Sequence, residues 1–345
     1  MTPDSATVSS VPPVATRRFG HNAVNLFVRL GVLPFMLVTA IVVFGLTSDQ
    51  FLTSQNLINL LRQSVYLILV SLGQMLVLVT GGFDLSVGTA LAITSVVSAM
   101  TMTGVAQAWP EMAWLAIVLG CLAGMLAGLA LGLINGAGVA FLGVSPFIMT
   151  LGVQSIGFGL ALYLTGGVPV AGLPQEFSEL FGFGSFLHVP IPVLITAVIA
   201  VLLYLLMSRT VTGNYLLAVG GNPKAAALSG VNNKKLLMTA YLLCALMASI
   251  SGLLLTARVE TGEANLGATI ALESIAACVI AGVSLRGGMG RVENVILGAI
   301  FIGLVQNGMN LTNVGSYLQM VVLGALLIIA VIADQIRHRL LVPGG

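Results

Sequence analysis

Apolar runs of about twenty residues, separated by short polar or glycine-containing breaks, recur along the chain from residue 30 onward. Runs of that length predict membrane-spanning helices, because a hydrocarbon core about 30 Å thick takes roughly twenty residues at helical rise. The pattern places helices near 30–48, 64–80, 87–105, 113–136, 146–165, 190–208, 236–257, 268–285, 294–312 and 316–334. Gly81-Gly82 and Pro146 interrupt the starts of the third and fifth. The fold class that follows is an all-α integral membrane protein of about ten transmembrane helices, with a broken-helix element near 81–88.

Composition strengthens that reading. Of 345 residues, 58% are hydrophobic and only 7% charged, with a mean hydropathy of +1.08, whereas soluble domains carry about 25% charged residues. One transmembrane domain, residues 26–336, takes nearly the whole chain, with tails at 1–25 and 337–345. The first tail is rich in Ser, Thr, Pro and Val without apolar periodicity, as expected of a mobile cytoplasmic segment. Its Arg17-Arg18 pair has the look of a twin-arginine export signal. However, the following run, Leu30 to Thr47, is long enough to span and no small-residue cleavage site follows it, so a retained first helix is expected.

Charge placement orients the helices. With the N-terminus inside and ten spans, the cytoplasmic segments hold Arg17, Arg18, Arg29, Arg209, Lys224, Lys234, Lys235, Arg286, Arg291, Arg337 and Arg339, leaving Arg62 and Arg258 outside. That is a strong positive-inside bias, and it puts both termini in the cytoplasm. Asp49, Glu111, Glu176, Glu179, Glu260 and Glu263 fall on the opposite face. The net charge of +2 predicts no nucleic-acid partner.

Catalysis finds no support. No P-loop is present, since none of Lys224, Lys234 and Lys235 follows a glycine. His21, His188 and His338 are scattered over a tail and loops, which argues against a triad or a zinc site. Cys121, Cys244 and Cys278 sit in separate apolar runs without metal-ligand spacing and read as core fillers. Gly120, Gly124, Gly128, Gly132 and Gly136 form a spacing-four stripe that lets another backbone approach closely, which is packing rather than chemistry.

The polar residues at membrane depth carry more. Asp84 and Glu273 lie in apolar surroundings, where a carboxylate is costly without water, a helix N-terminus or a hydrogen-bonding partner. Asp84 has two readings: a cap for a helix beginning at about Leu85, or a place in a solute path lined by a broken helix. Glu273 stands between anchor and pathway in the same way. Gln74, Gln154, Gln306, Asn307, Asn310 and Gln319 are amides that bond helix to helix. They are also groups that bind sugar hydroxyls, so an amide-lined path suits a polyol better than an ion.

The cytoplasmic loop 209–235 contains a short capped helix, with Asn222 as N-cap, Pro223 at the first helical position, three alanines and a stop at Gly230. It is too brief to span, and such definition on a surface helix points to something that docks there. An ordered loop with no partner is the plainer alternative.

The segment Gly220 to Val231, Gly-Gly-Asn-Pro-x-Ala-Ala-x-x-Ser-Gly-Val, resembles the coupling-helix segment of ribose-type permeases of ABC importers. Gly81 to Gly88, Gly-Gly-Phe-Asp-Leu-Ser-Val-Gly, is similar to a recurring element of that family, as are Gly143 to Gly152, Leu272 to Gly290 and Gln306 to Asn310, in order along residues 50–335. Departures occur at Glu273, where the family has Asp, at Ala281-Gly282-Val283 in place of Gly-Gly-Thr, and at Arg291 in place of a small residue.

The resemblance implies a transport subunit in the bacterial inner membrane that pairs with a second permease subunit, an ABC ATPase subunit and an extracytoplasmic sugar-binding protein. ATP and Mg would be held by the ATPase, with no cofactor on this chain. The ATPase contact would use Gly220, Gly221, Asn222, Pro223, Ala225, Ala226, Ser229 and Gly230. Candidates for the translocation pathway are Asp84, Ser86, Gln154, Glu273, Gln306, Asn307 and Asn310. A gradient-driven secondary transporter, a permease for branched-chain amino acids or nucleosides, and a non-transporting scaffold are the competing readings.

Overall fold

A computed structural model of the protein describes residues 33–341. The N-terminal tail and its arginines lie outside the described residues, as do residues 342–345. Each expected span corresponds to a helix: α1 Leu33–Thr47, α2 Ser54–Val79, α3 Val87–Ala108, α4 Ala113–Ala140, α5 Pro146–Thr165, α6 Ile191–Arg209, α9 Asn233–Val259, α10 Ile270–Ile280, α11 Val292–Leu311 and α12 Ser316–Leu341. Between α6 and α9 come α7 Val211–Gly221 and α8 Pro223–Leu228. Before α6, a helical turn of Gln175–Phe177 and Ser178–Phe183 leads into a hairpin of β1 Ser185–Phe186 and β2 Val189–Pro190.

Seven helices, α2 to α6, α9 and α11, are long and apolar enough to cross a membrane. Three more, α1, α10 and the Ser316–Ile332 part of α12, are apolar but shorter. The expected 268–285 helix is thus cut to Ile270–Ile280, followed by a loop built on Gly282, Gly287 and Gly288, all with left-handed φ. In the other direction, α2 starts ten residues earlier than its apolar run. Thr53 accepts a hydrogen bond from the Asn56 amide at 3.3 Å and caps it, so Ser54 to Gln63 are helical despite their polarity.

Helix α2 is the centre of the fold, packed on α9, α11, α10 and α6. Lipid tails are as apolar as leucine, so association between spans depends on close packing rather than on removal from water. The glycine stripe on α4 supplies it as expected. A methyl group at Gly120 or Gly124 would strike α3 at Ser98 and Thr94, and one at Gly132 or Gly136 would strike α9 at Ala245 and Met238. Gly128 sits where the two meet, between Thr94 and Ser249.

Six cations gather at one end of the bundle: Arg209 at the end of α6, Lys224 of α8, Lys234 and Lys235 at the start of α9, and Arg286 and Arg291 of the 281–291 loop. At the other end the helical turn before the hairpin adjoins Arg258, whose guanidinium lies 4.6 Å from the Phe183 ring centre, and a backbone bridge joins Val170 to Gly262.

Candidate functional site

The 209–235 segment is built almost wholly from its own sequence. Thr210 accepts from the Gly213 amide at 3.3 Å and starts α7, a helix the hydropathy pattern did not reveal because it is apolar but too short to span. Asn222 ends α7 and starts α8, its Oδ1 accepting from the Ala225 amide at 3.0 Å, with Pro223 at the first helical position. The Ser229 hydroxyl donates to the Ala225 carbonyl at 3.0 Å. The helix then stops in a Schellman motif: Gly230 is left-handed, its amide donates to Ala227, and the Val231 amide reaches back to Ala226. Asn233 ties α9 to α8 by donating to the Pro223 carbonyl at 2.8 Å.

Of the residues expected to meet a partner, Gly221, Asn222, Pro223, Ala225, Ser229 and Gly230 are exposed. Ala226 is buried against the body of the protein, and so is Gly220. The exposed face carries Lys224 and Leu228, the latter 90% exposed. No acidic residue occurs between Arg209 and Lys235, so this surface is cationic with an apolar tip.

The second group surrounds the break between α2 and α3. Helix α2 also ends in a Schellman motif, with Gly81 left-handed, its amide donating to Leu78 and the Gly82 amide to Val77. Asp84, 2% exposed, turns its carboxylate into the fold. Its Oδ1 accepts from the Ser86 amide at 2.9 Å and from the Ser86 hydroxyl at 2.7 Å, and the buried Cys244 of α9 lies beside it. The Ser86 oxygen accepts from Asn135 Nδ2 on α4 at 2.7 Å. Tyr241 of α9 donates to the Phe83 carbonyl at 3.1 Å. The break is therefore pinned from α4 and α9 by Asn135 and Tyr241, which sequence reading did not single out. Their only signal was polarity inside apolar runs.

A cleft of about 260 Å³ opens beside this break. Leu85, Gly88, Thr89 and Ala92 of the α3 side, Gln154, Ser155 and Phe158 of α5, and Leu266, Gly267 and Ala268 before α10 line it. Thr89 donates to the Gln154 carbonyl at 3.1 Å. Of the expected pathway residues, Gln154 alone lines the cleft. Glu273 stands on the first turn of α10, accepting from Thr269 at 2.7 Å.

The remaining candidates lie elsewhere. Asn307 forms a reciprocal amide pair with Asn56 of α2 at 2.9 and 3.0 Å, Gln306 beside it is half-buried, and Asn310 accepts from Gln319 at 2.7 Å. The structure thus separates the predicted pathway residues into three groups. Gln74 is fully buried in α2 with neither amide atom partnered. Cys244 and Cys278 are buried and Cys121 is half-buried, all unbridged. Among the described residues no cluster of three or more His, Cys, Asp or Glu could hold a metal ion.

Comparison with known proteins agrees with this architecture. A family model described as the permease component of branched-chain amino acid transport systems matches residues 56–331. The chain is 37% identical over 305 residues to the ribose import permease protein of Bacillus subtilis, covering 88% of this chain and 92% of the relative. It is 34% identical over 306 residues to the D-allose transport system permease protein of Escherichia coli, covering 88% and 91%. Identity is also 34%, over 314 residues, to the galactose/methyl galactoside import permease protein of Haemophilus influenzae, covering 88% and 93%. No solved structure matches. With four-fifths of its length matched by the family model and 34–37% identity to these relatives, the chain belongs to this family of membrane transport permeases.

Proposed function

We propose that this chain is the membrane permease subunit of an ATP-driven ABC importer that carries a small sugar, a monosaccharide or polyol, across the bacterial inner membrane. The observation that carries the reading is α8, a capped six-residue helix whose outward face is left bare. A gradient-driven carrier has no use for such a helix, whereas an ATPase domain needs a rigid handle to push on. The names of the relatives, import permeases for ribose, allose and galactose, support the sugar class.

In this reading the chain crosses the membrane ten times with both ends inside, α1, α10 and α12 completing the seven long spans. The gathering of six cations at the α8 end supports that orientation. A second permease subunit completes the pathway, an extracytoplasmic binding protein delivers the solute, and ATP with Mg²⁺ stays on the partner ATPase. ATP drives transport by binding one state of the assembly better than the other. The chain's own residues bind, shape and gate; none alters the solute. The cleft beside α3 is the half-pathway of one subunit, with Gln154 and Ser155 as its hydrogen-bonding groups.

The family description names branched-chain amino acids, which gives a second reading. The cleft opposes it, because none of its lining residues is charged, and a zwitterion stripped of water needs charged partners. Uptake measured in cells after ATP depletion and, separately, after collapse of the proton and sodium gradients tests the energy source. ATP depletion is expected to abolish uptake and gradient collapse to leave it. Thermal-shift screening of the co-purified binding protein against pentoses, hexoses, polyols and leucine tests the solute class.

A further inference from the structure

Three glycine-bearing segments that are far apart in sequence meet at one point. They are Thr80-Gly81-Gly82 at the end of α2, Gly220-Gly221 at the end of α7, and Gly287-Gly288 in the loop before α11. At the centre is a single carbonyl. The last carbonyls of a helix lack intrahelical partners. Val77 and Leu78 are satisfied within the Schellman stop, and the Val79 oxygen instead accepts from the Gly288 amide at 2.8 Å. Gly220 rests directly on that oxygen, so closely that a methyl group there would overlap it. Gly287, left-handed at φ +87°, fits against both Gly220 and Gly81, where a methyl carbon would lie 2.8 Å from the Gly220 oxygen and 2.9 Å from the Gly81 nitrogen.

We propose that this junction of Gly220, Val79 and Gly288 passes movement of α7 and α8 to the Asp84 break, which makes Gly220 a positioning residue for transport rather than part of the partner-binding face. The inference rests on the reading of the chain as an ATP-driven permease. Two features favour it. The contact is backbone on backbone, so no side chain can change rotamer and absorb a displacement of α7. And the route from junction to cleft is short: Val79 is followed by the Gly81 turn, by Phe83, whose carbonyl Tyr241 holds, by Asp84, which accepts from Ser86, and between them by Leu85, the first cleft residue. A push on α8 thereby reaches the α3 side of the cleft through one extended link.

The test uses the assembled complex of permease and ATPase in proteoliposomes, with its binding protein and ribose as solute. Gly220→Ala is expected to assemble with the ATPase and to raise the ATP hydrolysed per ribose imported by roughly tenfold, within the usual range of coupling between sites. Assembly with an unchanged ratio overturns the proposal, because a purely structural defect lowers hydrolysis and uptake together. A second measurement needs no variant. N-ethylmaleimide labelling of native Cys244, read by mass spectrometry, is expected to change by roughly fivefold when the wild-type complex is trapped with ATP and vanadate. Unchanged labelling overturns the proposal even if Gly220→Ala fails to assemble. Uptake that proceeds without ATP hydrolysis removes the permease reading and this inference together, whereas ATP-driven uptake with constant ratio and constant labelling removes the inference alone.

Discussion

The α8 segment and the Asp84 break use the same devices to opposite ends. In each, an Asn or Asp oxygen accepts from a backbone amide two or three residues ahead, and a left-handed glycine in a Schellman motif stops a helix. Around α8 the partners lie between residues 222 and 233, and the outward face is bare. Around Asp84 they come also from residues 135 and 241, and Asp84 and Ser86 are buried. A helix made for a partner is specified locally so that it exists before the partner arrives. A break inside the bundle is specified by the bundle, and it holds its shape only while the surrounding helices do.

That contrast makes predictions that can be pulled apart. The largest effect is expected from Ala225→Glu with Leu228→Glu, which places bulky acids on the bare face. Binding of the ATPase should weaken roughly thirtyfold or more, about 2 kcal/mol, and uptake should vanish, while the amount inserted and the unfolding temperature of the solubilised permease stay as in wild type. A drop in unfolding temperature would show that α8 belongs to the fold and would erase the contrast. Next comes Asp84→Ala, which leaves the Ser86 amide and hydroxyl without their acceptor in a buried site. A loss of about 1.5 kcal/mol should appear as poor membrane yield and a lowered unfolding temperature. Asp84→Asn, which keeps one oxygen acceptor, refines this: weak expression assigns the carboxylate to the scaffold, and normal expression with altered uptake assigns it to the path.

Asn135→Ala should cost about 1 kcal/mol, since it removes one donor to Ser86 but leaves the Asp84 bonds in place; thermal unfolding in detergent reads it. The smallest effect is expected from Asn222→Ala, about 1 kcal/mol or less of helix stability, confined to α8. Hydrogen exchange at Ala225 should quicken while global unfolding is unmoved.

Much of the fold was legible because spans announce themselves by length and apolarity, and α8 because its cap, proline and glycine are contiguous. What was hidden depended on distant residues. The polar Ser54 to Gln63 stretch reads as a loop until Asn56 finds Asn307, 251 positions on, and its amide is satisfied inside the bundle. Helix α7 was missed because a pattern tuned to membrane spans passes over a helix of only eleven residues. The pathway residues were chosen for being polar in apolar surroundings, yet Asn307 uses that polarity on Asn56 of α2 and Asp84 on Ser86 beside it, and the cleft is lined mainly by residues too ordinary to notice. Gly220 and Asn222 share one motif and face opposite ways, a distinction that only the turn between α7 and α8 makes.

Leu228 leaves an aliphatic side chain 90% exposed on α8, a helix whose caps are complete without any other chain. If the proposed ATPase docks there, the helix has no ordering left to do on binding, and the leucine's burial goes into affinity rather than into folding the segment.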